Sequence, residues 1–147
     1  MLQMAHIGLY VKDIDLMSDF YKSVFQMHVI CEKTFQSDAL IRNLLGNDSA
    51  GVIITKLITD QGKMSGIDDM LELLQVKGAG NKQLIGAIYQ PGCMHIGFRV
   101  DDIDKTIDKI IEYGGSKYTD IHTMPNGNRC CFARDVENNW LELIERH

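Results

Sequence analysis

Four residues in this chain combine the types and the spacing that metal chemistry needs: His6, Glu72, His95 and Glu142. His6 opens the stretch His6-Ile7-Gly8-Leu9-Tyr10-Val11-Lys12-Asp13-Ile14-Asp15, and His95 opens His95-Ile96-Gly97-Phe98-Arg99-Val100-Asp101-Asp102-Ile103-Asp104. Aligned without a gap, the two agree at seven of ten places. A self-match of this length points to an internal repeat. A second echo pairs Leu71-Glu72-Leu73-Leu74 with Leu141-Glu142-Leu143-Ile144. Each sets a carboxylate in the middle of an apolar strand, and strand alternation turns it away from the face of the flanking leucines. Taken singly, a strand glutamate is more often solvated and a lone histidine more often structural. Taken together, two modules each supply one His on a first strand and one Glu on a last strand. Imidazole and carboxylate suit Zn, Ni, Co, Mn or Fe better than Ca or Mg. A buried glutamate pair without a cation would cost several kcal/mol through desolvation and repulsion, and a divalent metal offsets that cost.

The elements that must position these four follow from periodicity. Residues 4–11 alternate as a strand, and Asp13 is placed to cap a helix carrying Ile14, Met17, Phe20, Tyr21, Val24 and Phe25 at three-and-four spacing. Strands are expected over 28–34, 51–59 and 70–76, with a short helix inserted over 37–46 and a turn at 60–63. Gly and Pro concentrate between 77 and 92, where Leu84, Ile85, Ile88 and Tyr89 could form a short helix. That makes module 1 residues 1–76, a linker 77–92 and module 2 residues 93–147. The second module repeats the plan: a strand over 93–100, a helix from Asp101 or Asp102 to Gly114-Gly115, and strands over 117–124, 129–134 and 139–144. Each module reads β-α-β-β-β, an α+β class. Tyr10 and Arg99 stand four residues beyond the two histidines, so alternation gives them the same facing and makes them candidate substrate-binding walls. His28, His122 and His147 lack such a pattern and read as structural or solvated.

Composition narrows the function classes. With 45% hydrophobic residues the chain can bury an ordinary core, and a formal charge of −5 argues against a nucleic-acid or anionic-membrane surface. No apolar run approaches the roughly 18 residues of a membrane span, and the first residues lack a signal-peptide pattern. A cytoplasmic location is the expectation. Cys31, Cys93, Cys130 and Cys131 have no zinc-knuckle spacing and read as reduced thiols.

In these features the chain resembles the vicinal oxygen chelate superfamily, which includes glyoxalase I, methylmalonyl-CoA epimerase, extradiol dioxygenases and bleomycin-resistance proteins. The resemblance rests on the His-Ile-Gly strands, the Asp-Ile-Asp helix starts with Phe20-Tyr21, and the closing Asp135…Trp140-Leu141-Glu142-Leu143-Ile144-Glu145. It implies two paired β-α-β-β-β modules in a cupped mixed sheet around one divalent transition metal. It places the metal ligands at His6, Glu72, His95 and Glu142, the set expected for glyoxalase I. It also implies a metal-dependent lyase or isomerase similar to lactoylglutathione lyase, with Glu142 as catalytic base and Glu72 as its partner. A methylmalonyl-CoA epimerase-like isomerase and a bleomycin-resistance-like binding protein are the alternatives. A small-molecule substrate and a homodimer complete the expectation. Bacterial glyoxalase I usually has an Arg where this chain has Tyr10, an Asn where it has Val76, and Asp-Pro-Asp-Gly where it has Asp135-Val136-Glu137-Asn138. Those differences leave the ligand positions intact and bear on the substrate's thiol carrier.

Overall fold

The computed structural model describes residues 4–66, 69–78, 88 and 91–147. The chain divides into two compact units, Met1–Lys82 and Gln83–His147. The fold is α+β with two mixed sheets, one in each unit. Among the described residues no helix is long and apolar enough to cross a membrane.

The first unit runs β1 (His6–Tyr10), α1 (Ile14–Phe25), β2 (His28–Gln36), α2 (Ala39–Leu45), β3 (Gly51–Ile58), α3 (Asp60–Ser65) and β4 (Met70–Lys77). Its sheet order is β1-β4-β3-β2, with β1 parallel to β4 and the other pairs antiparallel. The second unit runs β5 (His95–Val100), α4 (Ile103–Glu112), β6 (Ser116–Lys117), β7 (His122–Thr123), β8 (Arg129–Arg134) and β9 (Trp140–Glu145). Its order is β5-β9-β8-β6, with β7 also paired to β8 and β5 parallel to β9. In both units the first and last strands are therefore neighbours, which brings the repeated His and the repeated Glu onto adjacent strands.

Each unit starts its helix by the same device. Asp13 Oδ1 accepts from the backbone N–H of Asp15 and Leu16, and Asp102 Oδ1 from that of Lys105. A residue three places after the candidate ligand glutamate then reaches the first helical N–H. Gln75 Oε1 accepts from Ile14 at 3.2 Å, and Glu145 Oε2 accepts from Ile103 at 2.6 Å. The last strand is thus tied to the end of the first strand, and the offset of His against Glu is pinned from both sides. Below, α1 buries Ile14, Met17, Phe20, Tyr21 and Val24, while α4 buries Ile103, Ile107 and Ile110. Leu71 and Leu73 of β4, and Leu141 and Leu143 of β9, are buried as well. By alternation they share the face of Gln75 and Glu145, which is the helix side.

Two expectations need correction. The segment expected to turn at 60–63 forms the short helix α3, because Thr59 caps it by accepting from the Gly62 N–H and donates its hydroxyl to Asp69. A Cβ at Gly62 would collide with the Asp69 carboxylate, so glycine is needed there. The expected strand over 117–124 breaks into β6 and β7. The N–H groups of Tyr118 and Thr119 both donate to the Phe132 carbonyl, and Thr119 Oγ1 takes the Phe132 N–H in place of a backbone acceptor. His28, read as structural or solvated, pairs through Nε2 with Asp60 Oδ1. The helix expected around Leu84, Ile85 and Tyr89 lies outside the described residues.

The β8–β9 connection is built on one buried carboxylate. Asp135 Oδ1 accepts from the N–H of Glu137 and of Asn139, each at 2.9 Å, and Asn139 Nδ2 donates to both carboxylate oxygens. Asp135→Ala leaves those buried donors unsatisfied and is expected to cost about 3 kcal/mol. Urea unfolding with an unchanged m-value would read this as a lowered midpoint.

Candidate functional site

His6, Gly8 and Tyr10 share one face of β1, and His95, Gly97 and Arg99 share one face of β5. The backbone register is the same in both units. Gly8 lies opposite Glu72, and Gly97 lies opposite Glu142. Each His is therefore two residues along the neighbouring strand from its Glu, a diagonal relation within reach of long side chains. His6 Nε2 stands 3.5 Å from Glu72 Oε2, and His95 Nε2 stands 3.3 Å from Glu142 Oε2. The two glycines have different neighbours: a Cβ at Gly97 would meet Glu142 Oε2 at 3.6 Å, an ordinary contact, and one at Gly8 would meet Leu74 Cδ1 at 3.3 Å.

These distances suit two donors of one metal. Neighbouring ligands with bonds of about 2.1 Å lie roughly 3 Å apart, so each pair needs only a small closure to share an ion. Among the described residues the His and Glu donors come as two pairs, one per unit. Among the described residues no group of three or more His, Cys, Asp or Glu side chains forms. Thiolate competition is disfavoured on the Glu142 side. Burial first, and the charge of Glu142 second, push the Cys130 thiol up, which keeps it protonated.

The two glutamates differ in their surroundings. Glu72 is buried, its side chain 11% exposed, and its Oε1 takes a second partner, Lys56 Nζ at 2.8 Å. The hydrogen bond to Glu72 is the main reason the Lys56 ammonium is held above its ordinary range, against a smaller opposing effect of burial. Glu142 is more open, its side chain 28% exposed, and its ion pair is with His95. Phe132 of β8 lies opposite it in register, where Lys56 lies opposite Glu72, and the Phe132 ring meets the His95 ring edge-on at 5.5 Å.

Other side chains complete each face. In the first unit α2 packs on the same face as Glu72, through Ile41 and Leu45 against Val52, Ile54, Leu74 and Val76. In the second, Trp140 stands on the Glu142 face, with the Arg134 guanidinium 3.3 Å over its ring and Tyr118 edge-on at 4.6 Å. Lys56 and this Arg134–Trp140–Tyr118 stack escape sequence reasoning. A lysine inside the apolar run Val52–Ile58 was the available signal for the first. Tyr10 and Arg99 share their histidines' strand faces four residues further along, and both are exposed.

A model of the Glyoxalase/Bleomycin resistance protein/Dioxygenase superfamily matches residues 3–143. The chain belongs to this superfamily. Within the Glyoxalase/Bleomycin resistance protein/Dioxygenase superfamily, a lactoylglutathione lyase of Schizosaccharomyces pombe is 27% identical over 151 residues. The match covers 98% of this chain and 47% of that protein, so the chain spans about half the length of this relative. Among solved structures, a glyoxalase family protein from Bacillus cereus superimposes with a TM-score of 0.86 at 19% identity, covering 99% of this chain and 94% of that one. The fosfomycin resistance protein FosX from Listeria monocytogenes, crystallised with Mn(II) and sulfate, gives a TM-score of 0.62 at 15% identity, covering 100% and 94%. At these identities the structures share the superfamily fold.

Proposed function

We propose that this chain is a metal-dependent, glyoxalase-like lyase or isomerase, and that His6, Glu72, His95 and Glu142 hold its divalent transition metal. The observation that carries the reading is the repeated His–Glu pair. It has the same diagonal register in both units and separations of 3.5 and 3.3 Å. The similarity to a lactoylglutathione lyase favours this chemistry over other activities found in the superfamily.

A metal in this set would supply Lewis-acid stabilisation of the negative charge that develops on adjacent substrate oxygens. The remaining work falls to side chains. Glu142 takes the proton from the carbon α to the substrate carbonyl and delivers it to the neighbouring carbon, so the proton is conserved and the product is an isomer. Its greater exposure leaves its carboxylate room to swing between ligand and base. Glu72, clasped by His6 and Lys56, stays in place as its partner. Tyr10 and Arg99 contact the part of the substrate beyond the reacting carbons.

The test is a turnover screen of the metal-reconstituted protein. Hemithioacetals of glutathione and of several other thiols are followed by ultraviolet absorbance, beside methylmalonyl-CoA followed by proton exchange. Conversion of a hemithioacetal to a thioester is the expected result, and the preferred thiol identifies the carrier. Exchange on methylmalonyl-CoA alone would move the assignment to an epimerase-like isomerase. No turnover, together with a metal content near zero, would leave a small-molecule binding protein.

A further inference from the structure

The two units repeat their His, their Gly, their Glu and an anchor three places later, but they differ at the position opposite the glutamate. Opposite Glu72 stands Lys56, and opposite Glu142 stands Phe132. Lys56 interrupts a strand face otherwise formed by Val52, Ile54 and Ile58, and its side chain remains 34% exposed. An ammonium there has one evident partner, Glu72 Oε1 at 2.8 Å, while Glu72 Oε2 faces His6. The two oxygens are thus divided between a cation of the chain and the imidazole beside which a metal would sit.

We infer that Lys56 is a specificity residue that recruits an anionic substrate, one whose carboxylate supplies one of its two vicinal oxygens. The inference rests on the metal reading above. Two glutamates already balance a divalent cation, so Lys56 is not needed for neutrality in the loaded protein and leaves the site with a single net positive charge. A half-buried cation in excess is costly unless an anion arrives. Once a metal draws on Glu72, the lysine has a weakened partner. It also sits on a flexible stem that can turn toward a ligand carboxylate. On the other unit Phe132 holds the matching position, Arg134 on that face is engaged by the Trp140 ring and the Asn138 carbonyl, and Arg99 lies four residues along β5 from His95, so the charged end of the substrate is assigned to the side of Glu72. The proton-accepting carboxylate, Glu142, has the Phe132 ring and no lysine opposite it in register.

Cobalt-loaded protein allows the test without turnover. Lactate and its neutral isostere lactamide are titrated into wild type, Lys56→Met and Lys56→Arg, with calorimetry for affinity and the visible cobalt spectrum for the donor set. Lys56→Met should weaken lactate about tenfold while lactamide changes by no more than about twofold. Lys56→Arg should hold lactate within about threefold of wild type. Equal weakening of the two ligands, or no change in either, overturns the inference while the metal reading stands. Loss of the cobalt spectrum in Lys56→Met alone also overturns it, since Lys56 would then shape the metal site rather than recognise substrate. No cobalt spectrum in wild type overturns the metal reading and this inference with it.

Discussion

Glu142→Gln is expected to lower turnover by about three orders of magnitude, within the range that a positioned general base contributes, while the protein keeps its metal. The amide is nearly the same size as the carboxylate and retains one oxygen for coordination, but it cannot accept a proton from carbon at neutral pH. The position is more exposed than its counterpart, and its register neighbour Phe132 offers no charge to hold it. Glu72→Gln should behave differently. It removes the negative charge that pairs with Lys56 and would balance the metal, so metal affinity should fall more than the rate of the loaded enzyme. Steady-state kinetics with metal content determined on the same samples separates the two. A Glu142→Gln protein that binds metal and turns over at the wild-type rate would remove Glu142 from the role of base.

The second large effect concerns the histidines. Changes to groups that merely support metal ligands commonly cost ten- to a hundred-fold in affinity, so removing a ligand outright should cost about a hundredfold or more. His6→Ala and His95→Ala should each show that loss in competition with a chromophoric chelator. Both imidazoles are partly exposed on strand faces and neither belongs to the buried core, so the fold should survive either change. Stability gives an independent reading. A ligand at a hundred times its dissociation constant adds about 2.7 kcal/mol to the native state. The wild type should therefore melt higher with metal than with a chelator, and each variant should lose that difference at the same metal concentration. A metal-dependent shift of equal size in His6→Ala would exclude His6 from the ligand set.

Much of this architecture is legible in the sequence because it rests on local rules. The β-prone apolar runs Val52–Ile58 and Trp140–Glu145, the Asp13 and Asp102 caps, and the apolar stripe from Ile14 to Val24 each declare their element within a few residues. The duplicated His-Ile-Gly marks the common plan of the two units. What escaped depends on partners far along the chain. The helix α3 exists because Thr59 and Gly62 meet Asp69, and the break between β6 and β7 because Thr119 reaches Phe132. Lys56 reads as an ordinary solvated lysine until the β3–β4 register sets it opposite Glu72. The same holds for Arg134 and Trp140, which are brought together by the β8–β9 register and not by sequence neighbourhood.

The central claim is that the two repeated His–Glu pairs serve a single divalent metal. The most direct measurement is the metal-to-chain ratio of protein saturated with one metal and freed of excess, made on wild type, His6→Ala and His95→Ala. The account predicts one metal per chain in wild type and close to none in either variant. Two metals per chain, with each variant losing one, would mean that the pairs act separately, and no metal in wild type would mean that they hold none.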